Sequence, residues 1–145
     1  MDLYEELVES YLTIFEHLAV IPQFPVLFND KDEPCFHESP EKLGWSAFPD
    51  FLAVDLRSHQ AQIIEVNKSG YADKISDLMK RTLANREKVE SYVKWFVPDA
   101  FPIQWRFFVR EKMVDRVKRE IEAGGVQPSI TTLEAVFDKL KQIMP

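Results

Sequence analysis

Two short apolar segments separated by a polar turn form the most informative hydrophobic pattern in this chain. Residues 51–56 and 62–66 are rich in apolar and β-branched side chains, and the polar residues 57–60 lie between them. An apolar segment, a short polar connection and a second apolar segment are typical of a β-hairpin. The sequence therefore predicts two adjacent antiparallel strands in this region.

The register of this hairpin decides which polar residues lie together. A turn centred between Ser58 and His59 would pair positions so that Asp50 lies opposite Asn67. Side chains along a strand alternate between the two faces of a sheet. With this register Asp50, Glu65 and Asn67 lie on one face, whereas a shift by one residue would send Glu65 to the other face.

The remaining periodicity predicts mainly helices. Apolar residues recur at helical spacing over residues 2–18, 71–96 and 111–123, and again from a cap at Thr131 or Thr132 to Ile143. Alternation over residues 103–109 predicts a further strand, with Phe108 on the face opposite to Ile103, Trp105, Phe107 and Val109. Residues 24–28 and 126–128 are predicted as a short first strand and a short edge strand. The order is α, β, β, β, α, β, α, (β), α, an α/β fold.

Length and composition favour one packed domain over residues 1–145. The chain has 46% hydrophobic residues and 12% aromatic residues, which is typical of a globular protein. No apolar run reaches the roughly 18 residues of a membrane-spanning helix. The first six residues lack the basic start of a secretory signal, and the single Cys35 cannot form an internal disulfide. We therefore expect a cytoplasmic protein.

Charge is distributed unevenly along the chain. The net charge is −6, but residues 1–67 hold three Lys/Arg against thirteen Asp/Glu, and residues 68–145 hold fifteen against eleven. A basic half beside an acidic site could bind a phosphate backbone. Surface helices are also ordinarily rich in Lys and Arg, which often pair with nearby acids. Both interpretations stay open at this point.

Two other kinds of metal site are not supported by the spacing. Cys35 and His37 lack a second cysteine pair, and His17 and His59 are far away in the sequence, so no zinc site is predicted. Residues 29–33 are polar but lack the full ligand pattern of an EF-hand loop. The acids of the hairpin are therefore the principal candidates for metal ligands.

The hairpin residues resemble a known motif. Pro49-Asp50 precedes the first strand, and Glu65-Val66-Asn67-Lys68 ends the second. This arrangement resembles the PD-(D/E)xK nuclease superfamily, in which Asp50 matches the aspartate and Glu65 the glutamate. Asn67 occupies the lysine position, with Lys68 one residue later. The resemblance implies a restriction-endonuclease-like core (α-β-β-β-α-β, a mixed sheet flanked by helices) with extra C-terminal helices.

The resemblance also implies a chemistry for these residues. Asp50, Glu65 and the backbone carbonyl of Val66 would bind Mg²⁺ or Mn²⁺. Asn67 would position a water, and Lys68 would supply positive charge if a bulge turned it inward. Lys74 and Lys80 are alternative sources of that charge. The first helix of the family often adds an acid to the metal site, for which Glu5 and Glu16 are the candidates.

Two functions follow from the resemblance. One is metal-dependent hydrolysis of phosphodiesters in DNA or RNA at Asp50 and Glu65. The other is a catalytically inactive domain of the same fold that binds nucleic acid or another protein, which the loss of the motif lysine and the net acidity favour. A homodimer is a further possibility in this superfamily.

Overall fold

The structure is a computed structural model that describes residues 2–36, 42–67, 77–127 and 129–143. Its helices are α1 (Leu3–Ile14), α2 (Asp77–Ala84), α3 (Arg86–Val93), α4 (Val114–Ala123) and α5 (Leu133–Lys141), and a 3-10 turn at Glu111–Met113 precedes α4. Its strands are β1 (Ala19–Pro22), β2 (Val26–Asn29), β3 (Leu43–Ala47), β4 (Phe51–Asp55), β5 (Gln60–Asn67), β6 (Ile103–Val109) and β7 (Ile130–Thr132).

Five of these strands form one mixed sheet in the order β1-β4-β5-β6-β7. The β1–β4 and β4–β5 pairs are antiparallel, whereas β6 runs parallel to β5 and β7 runs parallel to β6. Parallel neighbours need a crossover connection, and α2 and α3 lie in the segment that joins β5 to β6. The predicted α/β class with a mixed sheet and flanking helices is confirmed.

Apolar side chains cover both faces of the sheet. One cluster packs β2, β3, α3 and α4 against one face, and its sheet residues include Leu52, Ile63, Trp105, Phe107 and Val109. The other cluster packs α1 and α5 against the opposite face, and its sheet residues include Phe51, Ala53, Ile64, Val66 and Phe108. The strand predicted at 103–109 is thus confirmed with its alternation, and Phe108 lies on the second face.

The predicted hairpin is present, but its register differs by two residues. Phe51 pairs with Ile64 and Asp55 with Gln60, so the predicted pairing of Asp50 with Asn67 is wrong. The reason lies in the turn. The Asp55 carboxylate accepts hydrogen bonds from the backbone N–H groups of Arg57 and Ser58, at 2.9 and 3.2 Å, and so starts the turn early. An even shift keeps every side chain on its predicted face.

The prediction that residues 24–28 form the first strand of the main sheet is wrong. The first strand of that sheet is β1, and the segment from Val26 pairs instead with β3 in a separate two-stranded sheet. Gln23 adopts a left-handed conformation with φ of 50°, which redirects the chain between β1 and β2. Such a reversal leaves no signal in the hydrophobic pattern.

The long helix predicted over residues 71–96 is interrupted at Asn85. Residues 71–76 lie outside the described residues, α2 and α3 follow, and α3 ends at Val93. The Asn85 side chain donates to the Arg81 carbonyl at 2.9 Å, while its own backbone has φ of −119° and ψ of 31°. An asparagine side chain that competes for backbone carbonyls favours such a break.

The C-terminal elements differ from the prediction in two places. The edge strand predicted at 126–128 is absent at Val126 and Gln127, and Pro128 lies outside the described residues. The Val126 N–H donates instead to the Ile121 carbonyl and closes the end of α4. β7 begins at Ile130 instead. Thr132 rather than Thr131 caps α5, and this helix ends at Lys141 rather than at Ile143.

Among the described residues, no helix is long and apolar enough to cross a membrane. The helices are short and lie against the sheet faces.

We predict that Thr132→Ala lowers the free energy of unfolding by about 1 kcal/mol. The Thr132 hydroxyl accepts the Ala135 N–H at 3.1 Å, and alanine leaves that group without a partner. Urea denaturation monitored by circular dichroism measures the change. Thr13→Ala, at an exposed helical position, serves as the control and should change stability by less than about 0.5 kcal/mol. An equal effect of both substitutions would contradict the assigned cap.

Candidate functional site

Asp50 lies where three segments of the chain meet. It directly precedes β4, and its backbone carbonyl accepts the Gln23 N–H at 2.8 Å. Its carboxylate Oδ2 accepts the Val66 N–H at 2.7 Å. These two bonds tie the start of β4 to the residue after β1 and to the end of β5, so the Asp50 side chain is held against β5.

Glu65 lies deep in the fold on the neighbouring strand. Its side chain is 3% exposed, and Phe107 of β6 is its partner on the other side. When the observed β4–β5 register is extended by one residue, Glu65 lies directly across from Asp50. The two carboxyl groups are hydrogen-bonded to each other. The predicted convergence of these acids is therefore present, in a closer pairing than predicted.

Glu5 adds a third carboxyl group to this cluster. It belongs to the first turn of α1, where its Oε2 accepts the Asp2 N–H at 2.9 Å in a capping box. The Glu5 carboxyl is also hydrogen-bonded to Asp50. Of the two acids considered on the first helix, Glu5 therefore reaches the site. The capping box fixes the first turn of α1 and thereby the position of Glu5.

Glu16 lies elsewhere and has a different role. Both of its carboxylate oxygens accept hydrogen bonds from Arg106, at 2.5 and 2.7 Å. Arg106 also donates to Thr131 Oγ1 at 3.1 Å and lies over the Phe108 ring. The Arg106 guanidinium is thus used in a structural ion pair between β6 and the segment after α1.

The cluster of acids has unusual electrostatics. Burial, together with the hydrogen bond that protonated Asp50 donates to Glu5, raises the pKa of Asp50 to about 7 from an ordinary value of 3.8. Burial and then the adjacent Asp50 raise the pKa of Glu65 well above its usual range. Two carboxyl groups form a hydrogen bond only when one carries a proton, because an ionised carboxylate has no donor. The cluster therefore holds protons at neutral pH unless a cation replaces them.

The oxygen atoms present suit a hard divalent cation. Carboxylate and carbonyl oxygens are the ligands that Mg²⁺ and Mn²⁺ prefer. Glu65 Oε1 is buried and has no hydrogen-bond partner in the described part of the chain, so it is available as a ligand. No three acidic, histidine or cysteine side chains among those described are arranged around one point as in a formed metal centre. Cation binding would have to displace the hydrogen bonds that now join Asp50 to Glu5 and Glu65.

Asn67 ends β5 on the same face as Glu65. Its side chain is 2% exposed, so an amide rather than a cation lies in the interior at this position. Lys68 and Lys74 lie outside the described residues, and Lys80 is exposed on α2. The source of positive charge near the acids thus stays a prediction.

No family model matches the chain, and neither a curated protein nor a solved structure gives a significant match. The arguments about function therefore depend on the residues and geometry described above.

We predict that the stability of the metal-free protein decreases as the pH rises from about 4 to about 7. Between 3.8 and about 7 the folded protein keeps a proton on Asp50 that the unfolded chain releases. Folding then takes up a proton, and rising pH opposes it. Asp50→Asn cannot take up this proton. The free energy of unfolding of this variant should therefore fall less steeply with pH than that of the wild type, by up to about 1.4 kcal/mol per pH unit. Urea denaturation in a chelator at several pH values gives both slopes.

The matched control is Asp99→Asn, which changes an exposed aspartate away from the cluster. This variant should keep the wild-type slope. Parallel slopes for Asp50→Asn and wild type would show that Asp50 holds no extra proton in the folded protein.

Proposed function

We propose that this protein is a metal-dependent nuclease of the PD-(D/E)xK type, acting on DNA or RNA. The element order supports a restriction-endonuclease-like core: α1 is followed by the antiparallel strands β1, β4 and β5, then by helices α2 and α3, and then by β6 parallel to β5. The β2–β3 pair is an insertion between β1 and β4, and α4, β7 and α5 extend the core. Asp50 directly precedes β4 and Glu65 lies on the adjacent strand β5, which supports a match to the two motif strands of that family.

The contact between the Asp50 and Glu65 carboxyl groups is the observation that carries the proposal. A 3% exposed glutamate with an unbonded carboxyl oxygen beside a second acid is costly for a fold. In a structural role, an apolar residue at position 65 would continue the apolar pattern of β5 at no such cost. Strongly perturbed acids that lie together are typical of functional sites.

The proposed metal ligands are Asp50, Glu65 and the Val66 carbonyl, with Glu5 as a further acid beside them. The N–H and C=O of one residue in an antiparallel ladder point the same way. Because the Val66 N–H donates to Asp50, its carbonyl is also directed toward the β4 side. A bound Mg²⁺ or Mn²⁺ would neutralise charge on the phosphate and make its bound water more acidic.

Asn67 would orient a water or a phosphate oxygen through its amide. It carries no charge, so it cannot stabilise the developing negative charge as a lysine would. We propose that Lys68 supplies that charge in place of the motif lysine. The expected activity is therefore weaker than that of a site with a lysine at position 67.

A second candidate function is supported by Asn67. If no positively charged side chain takes the place of the motif lysine, the domain would bind nucleic acid or another protein without cleaving it. The buried Asn67 amide favours this alternative, because it stands where the nuclease chemistry needs a positive charge. Fluorescence anisotropy with labelled DNA and RNA would then report binding without metal-dependent cleavage.

We predict metal-dependent nicking of supercoiled plasmid that depends on Glu65. Glu65→Gln should lower the cleavage rate by about 100-fold or more, equivalent to roughly 3 kcal/mol of transition-state stabilisation. Gel assays with Mg²⁺, Mn²⁺ or chelator measure the rate, and Asp99→Asn, purified in the same way, should cleave like wild type. Metal-dependent cleavage that survives in Glu65→Gln would reject the proposed site.

We predict that Asn67→Lys raises the cleavage rate by about tenfold or more. A buried ammonium group beside two acids favours their ionised, metal-binding forms and adds the missing positive charge. Asn67→Gln, which stays neutral, is the matched control, and thermal unfolding of both variants tests whether they fold. If a folded Asn67→Lys protein cleaves no faster than Asn67→Gln, position 67 does not take the place of the motif lysine.

A further inference from the structure

A second site candidate lies away from the acids, in a cavity of about 440 Å³ at the beginning of β6. Its lining includes Arg86 and Glu90 from α3, Gln104 and Trp105 from β6, and Gln127 and Ser129 from the connection that follows α4. Its volume falls within the range of small-ligand sites in proteins. None of these residues belongs to the acid cluster, so the inference is independent of the proposed nuclease function.

Arg86 lies in this cavity without an acidic partner in the described part of the chain. Its Nη1 donates to the Gly124 carbonyl at 2.8 Å, which holds the guanidinium at the cavity wall. Gly125 leaves room beside it, because a Cβ at that position would lie 3.4 Å from both terminal nitrogens of Arg86. A guanidinium has five N–H donors in a rigid plane, so one bond to a carbonyl leaves most of them available.

Glu90 lies one helical turn after Arg86 and is also held by a neutral group. Its Oε1 accepts the indole N–H of Trp105 at 3.3 Å. Arg and Glu four residues apart on a helix ordinarily have the spacing for an ion pair. Among the described residues, Arg86 instead bonds to a backbone carbonyl and Glu90 to an indole N–H, and both charged side chains line the cavity. The two opposite charges are thus kept separate at one site.

The rest of the cavity combines an apolar floor with a polar rim. Trp105 is 5% exposed and Val126 is buried, so the floor is fixed by core packing. Gln104, Gln127 and Ser129 are exposed and supply hydrogen-bond donors and acceptors at the rim. An apolar floor with a few converging polar groups is the usual character of a ligand pocket.

We propose that this cavity binds a small anion that also carries an amino group and an apolar or planar body. The anionic group would bind Arg86, which suits phosphate and carboxylate alike. The amino group would donate to Glu90, and the body would lie against Trp105. Two sources share this chemistry: a nucleotide whose base has an exocyclic amine, and an α-amino acid with an apolar side chain.

Paired probes that differ in the amino group test the proposal. Calorimetric titration of the full chain in a chelator would compare CMP with UMP, and leucine with its 2-oxo acid. In one of the two pairs, the amino member should bind about tenfold tighter or more, because its partner leaves Glu90 unpaired or facing an oxygen. CMP over UMP identifies a nucleotide, and leucine over its oxo acid identifies an amino acid.

Two variants test whether Arg86 binds the anionic group of the ligand and Glu90 its amino group. Arg86→Gln should weaken both members of the responding pair by about tenfold or more, since it removes the cation. Glu90→Gln should abolish the preference for the amino member. Glu87→Gln, on the same helix and exposed, is the matched control and should bind like wild type. Glu65→Gln should also bind like wild type, which separates this site from the acid cluster.

The proposal is overturned if the folded wild-type protein shows no saturable binding of any probe at millimolar concentration. It is equally overturned if both members of each pair bind alike, or if binding persists unchanged in Arg86→Gln and Glu90→Gln. Thermal unfolding of each variant checks that loss of binding does not arise from loss of the fold. If Arg86→Gln fails to fold, Arg86→Lys replaces it, and this variant keeps the charge while losing the planar fork.

Discussion

The burial of β5 on both faces is the constraint on which the rest of this structure depends. β5 lies between antiparallel β4 and parallel β6, and its consecutive Ile63 and Ile64 belong to different apolar clusters. Each such side chain contributes about 1.5–3 kcal/mol on burial. This apolar pattern fixes the register of β5, and the register then places Glu65 in the interior. The unfavourable burial of an acid is thus maintained by the favourable burial of its neighbours.

The first helix connects the candidate site to the ion pair between Glu16 and Arg106. Near its start, Glu5 is hydrogen-bonded to Asp50, and just after its end Glu16 forms a bidentate pair with Arg106. Val8 and Leu12 pack between these two points against the face that holds Phe108. A change in the protonation or metal content of the acids would therefore act directly on the start of α1. The second cavity shares no lining residue with this arrangement.

Local patterns predicted the elements that neighbouring residues determine. The strand at 103–109 was predicted with its correct bounds because alternating apolar residues have a clear period of two. The cap of α5 was predicted at Thr131 or Thr132 from the capping preference of single residues, and Thr132 is the one that caps it. The two-residue error in the hairpin register arose because Asp55 starts the turn with side-chain hydrogen bonds. β1 and β3 were missed because their pairing partners are distant in sequence and their exposed residues give no alternation.

The sequence by itself determined the α/β class, the faces of the hairpin and the presence of Asp50 and Glu65 on one of them. Side-chain alternation is a property of the strand, so an even shift of register leaves it unchanged. Only the tertiary structure decided that Glu5 rather than Glu16 meets these acids, and that Arg86 and Glu90 line a cavity instead of pairing. Those outcomes depend on where α1 crosses the sheet and on a carbonyl and an indole supplied by distant segments. Such long-range contacts have no counterpart in the local pattern of the chain.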